Sequence, residues 1–314
     1  MPSAGPQPCP ACGGPLVPWR TVPSGDPVVP EPVELWRCAT CATAVTAGAP
    51  PAVDLHDAGA YSEDSPRGSG IASPVLARFD RARLELVAAG ARAPARVVDA
   101  GAGRGRFVAA AREAGYEARG VEPSRRGVDA GLAHYGVLLE RSAIEDAAVE
   151  DGSVDVVTLW HVLEHVDDPR AALRAIHRWL RPGGALVVGV PNLSSVQAVV
   201  GGPRWYHLDV PRHRTHFTAA GLRTLLRAEG FRIEQERHVL LEHNPFGMWQ
   251  SAVNRLTRTP SYLFHLLKRN APWRSPDLVV TLLALPLLPL AALLEYAAGR
   301  RGRGGTVAIL ARRD

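Results

Sequence analysis

One stretch, Arg96-Val97-Val98-Asp99-Ala100-Gly101-Ala102-Gly103-Arg104-Gly105-Arg106-Phe107, constrains the fold more than any other. A short apolar run meets an acid, turns through three glycines and enters a helical pattern. Glycine has no Cβ, so the turn can be tight and a ligand can lie against bare backbone. The helix beyond offers unpaired N–H groups and the positive end of its dipole. Strand-to-helix turns of this kind open the nucleotide-type sites of doubly wound α/β sheets. The spacing is G-x-G-x-G with Asp99 just ahead of it, not the G-x-G-x-x-G of a dinucleotide site. A carboxylate there repels a pyrophosphate and suits a ligand whose near end is cationic. A second acid, Glu122, closes the next strand-like run, Ala118-Arg119-Gly120-Val121. An acid at that place can accept both hydroxyls of a ribose. S-adenosylmethionine, with its ammonium, sulfonium and ribose, meets both requirements.

Apolar runs alternate with helical patterns around this stretch. Strands are expected at 96–99, 118–122, 137–140, 154–160, 185–190, 231–241 and 305–311, with helices between them, among them 107–114 and 169–180. Ser73-Pro74 opens a further helix ahead of the first strand, with proline at its first position. Such alternation predicts an α/β, doubly wound, Rossmann-like sheet of seven mostly parallel strands. The chain is 46% hydrophobic and 21% charged, which excludes a disordered chain. The net charge of +5 carries little weight, because every basic residue but Lys268 is arginine in a chain rich in Ala, Gly and Pro. No run of five like charges occurs, which argues against a nucleic-acid partner. The N-terminal stretch Met1 to Pro10 lacks a basic-then-apolar pattern, so a cytoplasmic protein is expected.

The motifs, in order, resemble those of class I S-adenosylmethionine-dependent methyltransferases. Asp99-x-Gly101-x-Gly103-x-Gly105 and Gly120-Val121-Glu122-Pro123-Ser124 match the first two. Ser153 to Val157 with Trp160-His161-Val162-Leu163-Glu164-His165-Val166-Asp167-Asp168-Pro169 is similar to the fourth-strand motif. Leu180-Arg181-Pro182-Gly183-Gly184-Ala185-Leu186 is similar to the fifth. Within the class, the small-molecule branch that includes the ubiquinone-biosynthesis O-methyltransferases is the most similar. The resemblance implies that Asp99, Gly101, Gly103, Gly105, Glu122 and Pro123 hold the cofactor. It implies that Ile144 packs on the adenine and that Trp160 and His161 line the sulfonium and the acceptor. It also implies that the last strand returns antiparallel between the fifth and the sixth. Many relatives carry a Gly-Asp pair after the third strand for the adenine amino group; here the stretch reads Ser142-Ala143-Ile144-Glu145.

All four cysteines fall near the N-terminus, in two pairs, Cys9-Pro10-Ala11-Cys12 and Cys38-Ala39-Thr40-Cys41. Two C-x-x-C knuckles complete a closed tetrahedron of thiolates, so residues 1–48 read as a zinc ribbon with a structural metal on Cys9, Cys12, Cys38 and Cys41. A redox C-x-x-C would need a thioredoxin-like context, which is absent. Residues 49–72, rich in Pro, Gly, Ser and Asp, read as a linker. The methyltransferase domain then covers 73–241 and 305–314, and 242–304 is a hydrophobic helical insertion before the last strand. Its run from Leu278 to Leu294 carries no charge and is interrupted by Pro286 and Pro289. It is expected as a proline-broken hairpin, either buried or docked peripherally on the inner membrane face.

Two clusters carry candidate chemistry. His161-Val162-Leu163-Glu164-His165 matches the H-x-x-E-H pattern of inverted zinc peptidases, but it follows a strand where the peptidase pattern sits mid-helix. The second cluster runs from Trp205 to Phe217 and holds His207, Arg212, His213, Arg214 and His216. It is expected as a lid whose histidines can take a hydroxyl proton and whose arginines can grip an anion. His161, His207, His213 and His216 are therefore the candidate catalytic residues. The predicted activity is methyl transfer from S-adenosylmethionine to a small-molecule or lipid-like acceptor, at oxygen. The rivals are a zinc-ribbon ribosomal-RNA guanine methyltransferase, a sugar-nucleotide C-methyltransferase and a non-catalytic zinc-ribbon adaptor.

Overall fold

A computed structural model of the chain describes residues 8–26, 28–48, 55, 73–242, 244–268 and 271–314. The expected linker, 49–72, lies outside the described residues apart from residue 55. The first elements are three strands, β1 (Leu16–Val22), β2 (Val33–Cys38) and β3 (Ala44–Thr46). Helix α1 (Ser73–Gly90) then leads into β4 (Arg96–Ala100), α2 (Arg106–Glu113), β5 (Glu117–Val121) and α3 (Arg125–Tyr135). Next come β6 (Val154–Trp160), α4 (Pro169–Trp179), β7 (Leu180–Pro191) and α5 (Val196–Gly201). The two-residue strand β8 (Thr215–His216) precedes α6 (Ala219–Ala228) and β9 (Phe231–Arg237). Helices α7 (Asn244–Val253), α8 (Tyr262–Leu267), α9 (Pro276–Ala284) and α10 (Leu288–Arg300) lead to β10 (Thr306–Arg313).

The chain clusters into two compact units. The first gathers the N-terminal strands with Pro191–Leu222 and Arg237–Val307; the second is Ala72–Val190, Arg223–Glu236 and Ala308–Asp314. Residues 8–48, the Trp205–Phe217 segment and the 242–304 segment fall in one unit.

The second unit carries the six-stranded sheet, in the order β5-β4-β6-β7-β10-β9. Strands β4, β5, β6 and β7 pair in parallel, and β10 lies between β7 and β9 as expected. Strand β6 and the part of β7 from Gly184 to Pro191 are buried almost throughout, as strands covered on both faces must be. The expected third strand at 137–140 shrinks to one parallel bridge, Val121 to Glu140. Gly136 ends α3 in a left-handed turn, so few residues remain before the chain leaves the sheet at Arg141. The side chains still alternate, with Val137 and Leu139 buried and Leu138 exposed. Helix α4 shows how local sequence fixes an element. Asp168 caps it by accepting the N–H groups of Arg170 and Ala171, Pro169 fills its first position, and Leu173, Ile176 and Trp179 make its buried stripe. Such a cap stabilises a helix by about 1 kcal/mol.

The first unit carries an antiparallel sheet ordered β1-β2-β3-β8. Its outer strand comes from the segment expected to be a lid. Val22, Leu35, Trp205, Leu208 and Val210 form one buried cluster there. The insertion departs from the expected hairpin. Pro276–Arg300 is a single helical stretch of 25 residues, with one 3₁₀ turn at Leu285–Leu287. Pro286 falls in the 3₁₀ turn and Pro289 in the first turn of α10, and the stretch stays helical across both.

Candidate cofactor site and ribbon-bound lid

The glycine turn after β4 is built for close approach. Gly101, Gly103 and Gly105 all have positive φ, at 77°, 55° and 74°. A Cβ on Gly101 would strike the Val162 side chain, whereas one on Gly103 would meet nothing within 4 Å. Gly103 therefore opens onto space that a ligand can fill, and Gly105 starts α2 beside it. Glu122 reaches back from the end of β5. Its Oε2 accepts the Gly103 N–H at 2.7 Å and its Oε1 accepts the Ser124 N–H at 3.0 Å. Each oxygen is thus fixed by a backbone donor, and a carboxylate oxygen can accept a second bond, from a ligand hydroxyl.

Asp99 is buried at the end of β4, where the Thr158 hydroxyl donates to its Oδ1 at 2.6 Å. Burial pushes its pKa up to about 6, against the Thr158 hydrogen bond and the nearby Arg83. Such a carboxyl gains from a cation close by. Pro123 is exposed and Ile144 is buried.

At the end of β6 the indole of Trp160 lies against Gly189, where a Cβ would come within 2.7 Å of the ring. The Arg83 guanidinium sits 4.9 Å from the same ring centroid. Trp160 Nε1 is buried without a hydrogen-bond partner, an orphaned donor of the kind that ligand sites carry. His161 follows with φ 55°, and its backbone N–H donates to Gly189 O. Its Nδ1 lies 3.2 Å from Oε1 of Glu164, which is buried. A carboxylate on Nδ1 holds the proton there and leaves the lone pair of the neutral ring on Nε2. The segment carrying His161, Glu164 and His165 is turn and loop, not the helix that an H-x-x-E-H peptidase site requires.

In the first unit the four thiols converge. Cys9 and Cys41 are 3.7 Å apart at Sγ and Cys12 and Cys38 are 3.5 Å apart; all four sulfurs lie within 4.8 Å of one another. A disulfide needs about 2.05 Å. Thiolates about 2.3 Å from a tetrahedral ion stand about 3.8 Å apart, so Cys9, Cys12, Cys38 and Cys41 could hold a metal. The Cys9 thiol beside it, helped by Thr43, holds the Cys41 thiol down to about 4.

The lid residues pack onto this ribbon. The Thr46 hydroxyl donates to His213 O at 2.6 Å and lies 3.1 Å from His216 Nε2. Its proton is thereby committed, so His216 carries hydrogen on Nε2 and donates to it. Burial pushes His216 down to about 3, which makes it a poor proton acceptor near neutral pH. His213 donates from Nδ1 to His207 O at 2.9 Å, and His207 packs edge-on against Trp205 and Tyr206. All three histidines are buried. Arg212 is buried as well, paired with Asp26 at 2.6 Å and with both oxygens of Asp209. His207, His213 and His216 are thus all packed within the loop. Arg212, expected to grip an anion, is already occupied by two carboxylates.

Sequence reasoning missed Arg83, Thr158 and Gly189. Thr158 left a signal, as the one hydroxyl in the apolar run of β6, but Arg83 sits among other arginines of α1 and left none.

Residues 75–236, just over half of the chain, match the family model described as a methyltransferase domain. The ubiquinone biosynthesis O-methyltransferase of Xanthomonas euvesicatoria is 30% identical over 210 residues, which are 62% of this chain and 83% of the relative. That of Ralstonia nicotianae is 32% identical over 48% of this chain and 67% of its own length. Among solved structures, a candidate sarcosine dimethylglycine methyltransferase from Galdieria sulphuraria superposes with a TM-score of 0.51 at 16% identity, over 77% of this chain and 87% of that one. The cyclase SpnF does so at 0.50 and 20% identity, over 74% and 80%, so the fold by itself does not fix the reaction. The family model and the relatives meet on the segment that carries the Asp99 turn and Glu122, and the chain belongs to the S-adenosylmethionine-dependent methyltransferases.

Proposed function

We propose that this protein moves a methyl group from S-adenosylmethionine to a hydroxyl oxygen of a small or lipid-like acceptor. The observation that carries the reading is His161, held through Nδ1 by the buried Glu164 at the carboxyl end of β6, where ligands of doubly wound sheets bind. Bound S-adenosylmethionine supplies a methyl group on a positively charged sulfur. Glu122 would accept the ribose hydroxyls, Asp99 would offset the cationic end, and Trp160 would wall the sulfonium. His161 Nε2 would take the acceptor proton as the oxygen–carbon bond forms and the carbon–sulfur bond breaks, leaving a neutral thioether. Alignment supplies much of the rate in such a displacement. Oxygen as the acceptor atom also agrees with the O-methyltransferase names of the relatives in Xanthomonas and Ralstonia.

In the same reading, zinc on Cys9, Cys12, Cys38 and Cys41 is structural, since a closed set of four thiolates leaves no position for substrate. The test is transfer of labelled methyl from S-adenosylmethionine to a panel of phenols, catechols and prenylated phenols, with the methylated atom located by mass spectrometry. An O-methyl ether is expected. His161→Gln should lower kcat by about 10²–10⁴-fold with cofactor affinity unchanged. Methylation at carbon or nitrogen, or unchanged turnover in His161→Gln, would refute the reading.

A further inference from the structure

The helical stretch Pro276–Arg300 has its polarity inverted. A surface helix normally turns its apolar stripe inward and its polar face to water. Here the inward face mixes polar residues with the small apolar residues Ala284, Ala291 and Ala298, and the large apolar residues turn outward. Asp277 is buried and accepts the N–H groups of Arg258 at 2.8 Å and Thr259 at 2.9 Å. Glu295 is buried and accepts the Gly305 N–H at 2.7 Å and Gln197 Nε2 at 3.0 Å. Thr281 is buried between them in the sequence. The outward face is leucine: Leu282, Leu283, Leu287, Leu290, Leu293 and Leu294 are all more than half exposed, Leu283 at 76%. At 1.5 Å per residue this stripe runs for about 18 Å. Single exposed leucines need no explanation, but a contiguous stripe does.

The flanks say what covers it. Trp273 is 60% exposed before the helix and Tyr296 is 48% exposed near its end. Arg274 lies exposed at one end and Arg300, Arg301 and Arg303 at the other. The two acids between Arg274 and Arg303 are Asp277 and Glu295, both turned inward, so the outward surface shows cations alone. Aromatic residues at the rims of an apolar stripe, with arginines beyond them, match the boundary of an anionic bilayer. We propose that the leucine face of Pro276–Arg300 docks in one leaflet of an anionic membrane, lying in its plane. The stretch is long and apolar enough to cross a membrane. Crossing, however, would strip Asp277 and Glu295 from the backbone donors they bind and expose them to lipid. The docking is independent of the chemistry proposed for the cofactor site.

The experiment is flotation of the full chain with phosphatidylcholine vesicles, with and without phosphatidylglycerol. Wild type should float, more strongly with phosphatidylglycerol, and should be released by alkaline carbonate. Leu283→Glu/Leu290→Glu/Leu294→Glu changes only exposed positions and should lower partitioning by more than about a hundredfold, with S-adenosylmethionine binding as the control for folding. Arg300→Gln/Arg301→Gln/Arg303→Gln should lose the preference for phosphatidylglycerol, and it tests the proposal even if the glutamate variant misfolds. Wild type that stays with the unbound protein overturns the proposal. So does equal flotation of the glutamate variant, or retention through carbonate, which means a span. A wild-type dimer that does not float, with a monomeric glutamate variant, overturns it in favour of a second copy as the cover.

Discussion

Asp99→Asn separates what the cofactor site costs the fold from what it does. Burial raises the Asp99 pKa from the usual 3.8 to about 6. That is some two units, and each is worth about 1.4 kcal/mol, so ionised Asp99 costs the cofactor-free fold about 3 kcal/mol near neutral pH. The cost is absent below about pH 4, where the carboxyl is protonated in both the folded and the unfolded chain. Between about pH 4 and 6 the folded chain keeps a proton that the unfolded chain has released. Stability therefore falls as pH rises through that window and is level above it. Asparagine still accepts from the Thr158 hydroxyl and never ionises. In urea denaturation without cofactor, Asp99→Asn should be more stable than wild type at pH 8, by up to about 3 kcal/mol. The gap should close towards pH 4. Calorimetry should show the opposite for function, with S-adenosylmethionine bound about tenfold or more weakly, because the cationic end loses its counter-charge. A variant less stable than wild type at pH 8, or a gap that does not change with pH, would refute the reasoning.

Two further perturbations test the remaining parts. Glu122→Gln replaces one of the oxygens that accept from Gly103 and Ser124 with a donor; S-adenosylmethionine affinity should fall about 10- to 100-fold by calorimetry, the equivalent of one lost charge-assisted hydrogen bond, and a change under twofold would remove Glu122 from the site. Purified wild type should carry about one zinc per chain by elemental analysis. Cys38→Ser should lose it and become sensitive to protease between Trp205 and Phe217, and a metal-free wild type would sink the ribbon reading.

The sheet was largely legible because its signals are local. Apolar runs, glycine turns and caps such as Asp168-Pro169 each act within a few residues, and they placed β4, β5, β6 and α4 to within a residue or two. The third strand was not, because Val137 to Glu140 has the pattern of a strand but keeps only one bridge at the sheet edge. The prolines at 286 and 289 misled in a related way. Their effect depends on where in a helical segment they fall, which their spacing alone does not give. The placing of Asp99 in β4 and of Glu122 just after β5 followed from spacing. The burial of His216 did not, since its partner Thr46 stands 170 residues away in the sequence.

That long-range pairing explains why a ribbon and a histidine-rich loop belong together. The loop after α5 has little regular structure of its own: short 3₁₀ turns and a strand of two residues. Such a segment cannot offset the entropy of ordering its backbone by ladder bonds. Its order rests on borrowed partners. Thr46 holds His213 and His216, Asp26 holds Arg212, and the Thr218 hydroxyl donates to Cys41 O at 2.8 Å. Cys41 is itself a thiol of the four-cysteine cluster. A metal bound there would fix the carbonyl that receives Thr218 and the strand β3 that pairs with β8, so its binding free energy would go into ordering residues 209–218. The buried Asp26–Arg212 pair points the same way. Removing Arg212 takes the ion-pair partner from the buried Asp26 and costs about 3–5 kcal/mol, whereas removing Asp26 leaves Arg212 on Asp209 and costs less; either loss loosens the loop from the N-terminal strands. With a metal bound, the cysteines would need to touch no substrate to matter, because they would help fix the shape of residues 209–218.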